Sequence, residues 1–185
     1  LWPAQPHLER SKTPDIRNRS FTIRALVERG AGDDGVLVAS GARTGGHVLY
    51  VQDDRLWFTY NRVGALFEVS SDEILPDGAL ELSVRYDKTH EHRGTATVLA
   101  APVDADGAVG SAHPLGSGPI ETLPYRQTMY GMDIGRDAGP TVSGRYRGPY
   151  PFAGTLHWVE YELDDDRADL LAAAERELET QLAEQ

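Results

Sequence analysis

Three short groups of residues carry side chains suited to chemistry, and the first is His90-Glu91-His92. On a strand, the two imidazoles would project from one face and could share a metal ion. They lie in a polar stretch, residues 87–94, and no third ligand follows nearby in the sequence. We therefore interpret this group as a solvated hairpin loop.

The second group is Asp104-Ala105-Asp106-Gly107, which resembles the beginning of a calcium-binding loop. A full loop of that kind needs further oxygen ligands and a Glu at its twelfth position, where this chain has Leu115. We interpret the group as a β-turn in which Gly107 is a favourable turn residue. A single calcium ion held by backbone carbonyls and one aspartate stays an alternative.

The third group is Glu160 and Glu162, two carboxylates on one face of a predicted strand, roughly 6.8 Å apart along the backbone. Paired carboxylates near that separation can cleave glycosidic bonds. The longer Glu-x-Asp-x-x-Glu strand motif typical of sandwich-fold glycosidases is missing, so an acidic solvent face is the preferred interpretation. The chain also has no cysteine, no G-x-S-x-G and no glycine-rich phosphate loop. We predict that it is not an enzyme by itself.

The composition limits the partners of the chain. Its formal net charge is −11, which repels phosphate backbones, and no basic stripe with interleaved aromatic residues is present. Binding to nucleic acid or to an anionic membrane is therefore not expected. No apolar run is long enough to span a bilayer. Compartment and substrate are not encoded in any recognisable motif.

Alternating apolar and polar residues predict a β-protein. The clearest segment is 79–87, where Leu80, Leu82, Val84 and Tyr86 are expected to point inward. Further predicted strands lie at 21–27, 56–61, 95–101, 129–134 and 155–163, separated by turns rich in Asp and Gly. The continuous apolar runs 36–38 and 48–51 are predicted to be strands buried on both sides. About ten short strands at this spacing indicate an antiparallel sandwich or barrel. Residues 135–154, rich in Gly and Pro, are expected to form a long surface loop.

We divide the chain into three parts. Residues 1–19, which contain three prolines, are predicted to be an extended lead-in that follows a surface. Residues 20–163 form the predicted sandwich. Residues 164–185 are predicted to form an amphipathic helix, capped by aspartates and needing an apolar surface to lie on.

Aromatic and apolar residues outside the core pattern are the candidates for a binding surface. If Val159 and Tyr161 face the core, Leu156 and Trp158 lie outside with the glutamates, unless a β-bulge returns Trp158 to the core. Flat rings such as Trp57 can also stack on sugars, although most such rings in a sandwich belong to the core. The candidate docking or ligand surface comprises Trp57, Tyr60, Tyr150, Leu156, Trp158, Leu171, Leu178 and Leu182.

Several motifs resemble the C-terminal domain of large bacterial arylsulfatases. The stretch 14–23, PDIRNRSFTI, is similar to the entry to that domain, and residues 35–41, 50–51, 56–61 and 75–78 continue the similarity. Asp133-Ile134-Gly135-Arg136-Asp137 and 151–156, PFAGTL, match its closing pattern. The resemblance covers nearly the whole chain, in order.

The resemblance implies a jelly-roll sandwich of the concanavalin A-like or laminin G-like type. It also implies a parent enzyme that hydrolyses sulfate esters with a formylglycine and a calcium ion, both in another domain. No serine of this chain has the formylglycine sequence context, so no catalytic residue, metal ligand or cofactor is assigned here. In the same interpretation, Asn18, Arg136 and Asp137 tie the lead-in and the loop to the sandwich.

The leading hypothesis is a non-catalytic accessory domain that packs against a sulfatase catalytic domain. The second hypothesis is a lectin-like carbohydrate-binding module. A glycoside or ester hydrolase that uses Glu160 and Glu162 ranks below both.

Overall fold

The computed structural model describes residues 1–3, 5–124 and 130–164. These residues form a short 3₁₀ turn, Arg10–Lys12, and ten β-strands. The strands are β1 Phe21–Arg29, β2 Gly35–Ala42, β3 Gly45–Gln52, β4 Arg55–Arg62, β5 Ala65–Ser70, β6 Gly78–His90, β7 Arg93–Pro102, β8 His113–Glu121, β9 Met132–Ile134 and β10 Thr155–Leu163. The all-β prediction is confirmed.

The ten strands pair into two five-stranded antiparallel sheets. Sheet I has the order β10-β1-β6-β7-β8, and sheet II has the order β5-β4-β3-β2-β9. Their inner faces enclose the main core, which takes alternate residues along most of the strands. In β6, all four predicted inward residues are buried, and Tyr86 stacks on Phe21 of β1 with ring centroids 5.1 Å apart. The predicted register of this strand is confirmed.

Strands β2 and β3 of sheet II are buried on both faces, as their continuous apolar runs predicted. Val36, Val48 and Tyr50 point away from the main core and are nevertheless fully buried. The long loop 135–154 covers them with Val142 and Tyr146. The loop is therefore a packed layer of the fold, which its Gly- and Pro-rich composition did not indicate.

Strands β5 and β8 were not expected from the sequence, and both lie at sheet edges. β8 carries Pro114 and Pro119, residues that an edge strand tolerates. It runs against β5 of the other sheet, where the Asp72 amide donates to the Leu115 carbonyl over 2.8 Å. At Gly116 a Cβ atom would lie 2.1 Å from the Ser70 carbonyl oxygen, so only glycine permits this approach. The contact closes one side of the sandwich.

The lead-in, which was predicted to follow a surface, runs along the edge strands β9 and β10 and closes the other side of the sandwich. Leu8 and Met132 exchange two backbone hydrogen bonds of 2.9 Å at the edge of sheet II. Leu1 does the same with Val159 at the edge of sheet I: its amino group donates over 3.0 Å and its carbonyl accepts over 2.9 Å. Ile16 is buried in the core. The lead-in thus covers both edges that would otherwise be unpaired.

A β-bulge in β10 overturns the expected orientation of Leu156. Val27 pairs with Leu156 while Leu26 pairs with Trp158, so His157 is an extra residue on this strand. Leu156 and Val159 therefore both face the core, and Leu156 is only 7% exposed. The predicted Leu156–Trp158 surface pair is wrong because strict alternation fails at His157.

The chain end is described only as far as Asp164, whose amide donates to the Ser20 carbonyl over 3.0 Å. The predicted helix, with Leu171, Leu178 and Leu182, lies outside the described residues. Within those residues, no helix has the length and apolarity needed to cross a bilayer.

Candidate functional site

An aromatic cluster lies on the outer face of sheet II, beneath the loop 135–154. Tyr50 and Trp57 are partners across strands β3 and β4, with ring centroids 6.3 Å apart. Tyr146 packs on Tyr50 at 5.1 Å, and Tyr150 stacks on Tyr146 at 5.0 Å. The Tyr150 hydroxyl donates to the Val51 carbonyl over 3.3 Å. Trp57 and Tyr150 of the predicted surface are thus brought together, with much of each ring in contact with protein.

One face of the Trp57 ring is already occupied. The Arg145 guanidinium lies 3.9 Å from the ring centroid, a distance typical of a cation–π contact. Two hydrogen bonds of 3.0 Å to the Glu68 carboxylate hold Arg145 in place, and this bonding raises its pKa. A sugar that stacked on this face would have to displace Arg145. Trp57 is therefore poorly suited to be the ligand platform that the sequence suggested.

Asp137 fixes the conformation of the loop that covers the cluster. Its carboxylate is buried and accepts a hydrogen bond of 2.6 Å from the Tyr146 hydroxyl and one of 3.3 Å from the Val142 amide. Desolvation raises the pKa of Asp137, and burial raises that of Tyr146. These partners belong to the loop itself, so Asp137 fixes the conformation of the loop rather than tying it to the sandwich as predicted, and the neighbouring Arg136 is exposed.

Asn18 has the tying role that the resemblance implied. It adopts a left-handed backbone conformation, with φ of 51°. Its side-chain oxygen accepts a hydrogen bond of 2.9 Å from the His92 amide, and its carbonyl accepts one of 3.3 Å from the Lys88 ammonium. Asn18 therefore attaches the lead-in to the β6–β7 hairpin.

Trp158 lines a second feature, a cleft along the outer edge of β10. The cleft has a volume of about 450 Å³. Its lining residues come from the lead-in and from β10: Leu1, Trp2, Lys12, Pro14, Trp158, Val159, Glu160 and Tyr161. Trp2 is 61% exposed and Trp158 is half-buried, so two indoles are accessible in one concave site. We call this site the tryptophan cleft.

Tyr161 connects the tryptophan cleft to a buried histidine. Its hydroxyl lies 2.9 Å from His47 Nε2, and the two rings meet edge to face at 5.8 Å. His47 is 4% exposed, and desolvation lowers its pKa to about 3. Burial also raises the pKa of Tyr161. The pair is therefore neutral near pH 7, and its hydrogen bond holds the Tyr161 ring that lines the cleft.

Tyr60 is the other predicted surface residue that the structure places in the core. It is 2% exposed, and its hydroxyl accepts a hydrogen bond of 3.0 Å from the Leu123 amide. Burial raises its pKa to about 12. Tyr60 shares its face of β4 with Leu56 and Phe58, which predicted burial rather than exposure.

Both glutamates of the acidic pair on β10, Glu160 and Glu162, form ion pairs with one arginine. Arg24 of the neighbouring strand lies 2.7 Å from Glu162 and 3.8 Å from Glu160. It also approaches Glu81, whose pKa is raised by desolvation. A retaining or inverting glycosidase needs one carboxyl that donates a proton to the leaving group, whereas here both carboxylates form ion pairs with the same arginine. This arrangement favours the interpretation as an acidic outer face.

The two remaining candidate groups occupy turns. His90 is exposed, and His92 lies in the β6–β7 hairpin as predicted. The Asp104 side chain accepts hydrogen bonds from the amides of Asp106 and Ala108, which is the geometry of an Asx-type turn. Among the described residues, no group of three or more His, Cys, Asp or Glu side chains could hold a metal ion.

Comparisons with known proteins show which fold this chain shares with them. No protein-family model matches the sequence. No curated protein matches it either. Solved structures do match: domains LG4-5 of the mouse laminin α1 chain align over 86% of this chain and 40% of that chain, with 16% identity and a TM-score of 0.50. The LG1-3 region of the laminin α2 chain aligns over 80% and 29%, with 14% identity and a TM-score of 0.50.

A third solved structure that matches is the CBM40 of the Ruminococcus gnavus IT-sialidase bound to α2,3-sialyllactose. It aligns over 83% of this chain and 82% of that chain, with 10% identity and a TM-score of 0.49. This chain spans less than half the length of the two laminin chains. The laminin structures show that the fold is a laminin G-like sandwich, as predicted. The resemblance to sulfatases stays a prediction.

Proposed function

We propose that this chain is a non-catalytic accessory domain of a sulfatase-like hydrolase and that it packs against the catalytic domain through the tryptophan cleft. The observation that carries the proposal is the pair of accessible indoles in one concave site. Tryptophan is strongly enriched among residues that dominate binding energy at protein interfaces. The hydrogen bond between His47 and Tyr161 holds one lining residue of the cleft in place, which lowers the cost of ordering that side chain on binding.

The sulfatase part of the proposal rests on motif order. Two of the motif residues have specific structural tasks in this fold: Asn18 attaches the lead-in to a hairpin, and Asp137 fixes the conformation of the covering loop. The resemblance therefore includes residues that this sandwich needs, in addition to common apolar positions. The predicted tail with Leu171, Leu178 and Leu182 stays part of the proposed docking surface, outside the described residues.

The decisive experiment is a binding measurement with the sulfatase-type catalytic domain encoded in the same or an adjacent reading frame. Titration calorimetry should give a defined complex, and Trp2→Ala and Trp158→Ala should each weaken it about tenfold or more. Ile74→Ala is a matched control, because Ile74 is 68% exposed and does not line the cleft. Absence of such a coding unit, or equal losses in the three variants, would contradict the proposal.

A carbohydrate-binding module is the second candidate. The tryptophan cleft favours it because Lys12 and Glu160 place charged, hydrogen-bonding groups beside the indoles, a combination that can hold a sugar ring. Glycan-array binding that is lost in Trp158→Ala but kept in Trp57→Ala would support this candidate at the cleft. Uniformly negative arrays, with neutral and sulfated glycans, would exclude it.

A further inference from the structure

A groove of about 860 Å³ lies beside the covering loop 135–154 and shares no described lining residue with the tryptophan cleft. One wall is the loop segment 138–149, and the other combines the β2–β3 and β4–β5 turns. Leu66, Val142 and Tyr146 supply apolar surface, and Arg43 and Arg147 supply charge. The volume lies in the range of sites that enclose a small organic molecule.

The walls of this groove are held together by buried hydrogen bonds. The Asn61 amide group, on β4, donates to the Arg43 carbonyl over 3.1 Å and to the Val142 carbonyl over 3.0 Å. Its side-chain oxygen accepts a hydrogen bond of 2.8 Å from the Gly64 amide. On the other wall, Asp137 fixes Tyr146 and Val142, and the Asp137 amide donates to the Pro149 carbonyl over 2.8 Å. The groove is therefore preformed.

The groove is lined by positively charged side chains, although the chain as a whole has a net charge of −11. Of the arginines in the part of the chain that the structure describes, only Arg43, Arg136 and Arg147 have side chains without a hydrogen bond, ion pair or ring contact. Two of these three line the groove. None of its lining residues in that part is Asp or Glu, and the nearby Asp137 carboxylate is buried behind the wall.

Unpaired guanidinium groups beside a preformed apolar wall indicate an anionic ligand. The planar fork of an arginine matches the oxygen atoms of sulfate, phosphate or carboxylate groups and forms charge-assisted hydrogen bonds with them. A free inorganic ion would leave most of the groove and its apolar wall unused. A ligand with both an oxyanion and a ring-sized body would use both features.

We propose that this groove binds a sugar-sized molecule carrying a sulfate or phosphate ester, with Arg43 and Arg147 receiving the oxyanion and Leu66 and Tyr146 contacting the ring. The inference goes beyond the proposed docking function, because it uses different residues on a different surface. Either can fail without the other.

The test compares four probes on the intact chain by calorimetry at low ionic strength: galactose 6-sulfate, galactose 6-phosphate, galactose and inorganic sulfate. We expect at least one ester to bind at least tenfold more tightly than galactose and than inorganic sulfate. Whichever ester binds more tightly identifies the preferred oxyanion. Backbone amide shifts in residues 141–148 should accompany this binding in NMR spectra.

Arg43→Gln and Arg147→Gln should each weaken the ester about tenfold, the usual effect of losing a charge-assisted hydrogen bond. Arg136→Gln is the matched control, because it removes an equally unpaired charge outside the groove and should leave affinity within twofold. Thermal unfolding of all three variants should match the wild type, since these side chains are exposed and form no hydrogen bond or ion pair with the described residues. The proposal is overturned by no ester binding at millimolar concentration, by inorganic sulfate binding as tightly as the esters, or by equal losses in all three variants.

Discussion

The buried His47 makes a specific prediction about acid stability. In the folded chain its pKa is about 3 because burial penalises the charged imidazolium, whereas an unfolded histidine titrates near 6.5. Between these two values the unfolded state binds more protons than the folded state. Stability is therefore lost as the pH falls below about 6.5 and is regained as the pH rises.

The magnitude follows from the two pKa values. At pH 5 the unfolded histidine is almost fully protonated, whereas the folded one stays neutral. Because pH 5 lies about 1.5 units below the pKa of the unfolded histidine, the free energy of unfolding falls by about 2 kcal/mol between pH 7 and pH 5. This is a substantial part of the net stability of a typical domain.

Urea denaturation at pH 7 and pH 5 measures this effect, and His47→Gln isolates it. The variant loses stability at both pH values, because the hydrogen bond with Tyr161 is altered. Its change between the two pH values should nevertheless be about 2 kcal/mol smaller than that of the wild type. His90→Gln, at an exposed hairpin position, should show the wild-type change. Equal pH dependence in the wild type and His47→Gln would refute the reasoning.

Three further substitutions test the packing of the sandwich and its loop by urea denaturation at pH 7. Gly116→Ala should cost about 3 kcal/mol or more, because its Cβ meets the backbone of β5, whereas Gly144→Ala meets nothing within 4 Å and should be close to neutral. Tyr146→Phe should cost about 1–3 kcal/mol, because it removes a hydrogen bond from the buried Asp137 carboxylate. Arg145→Ala should cost at most about 1 kcal/mol and change tryptophan fluorescence, because it uncovers an indole face. A neutral Gly116→Ala would contradict the described β5–β8 contact.

Strand patterning predicted the parts of the fold in which alternation and burial coincide. In β6, every second residue is apolar and faces the core, so the periodicity specifies the register. The runs in β2 and β3 predicted burial on both sides and have it. β8 could not be recognised, because a strand with two prolines and two glycines has no apolar alternation. Its edge position allows the two prolines, since an edge strand does not need every backbone N–H for pairing.

The candidate surface was only partly predictable, because orientation depends on features that alternation does not encode. The bulge at His157 turns Leu156 into the core and leaves Trp158 accessible. Whether Trp57 is free depends on Arg145, which comes from a distant loop. Trp2 was missed because the lead-in has no period, and because the lead-in reaches β10 through the backbone of Leu1. Its position among prolines near the start was the only available signal.

Hydrogen–deuterium exchange of the chain, with and without the sulfatase-type catalytic domain encoded with it, tests the docking proposal most directly. Docking at the tryptophan cleft predicts slower exchange at residues 2 and 158–161 in the complex, with unchanged exchange at residues 141–148, which line the groove that contains Arg43 and Arg147. Unchanged exchange along the whole of β10, or protection confined to the surface around Ile74, would contradict it.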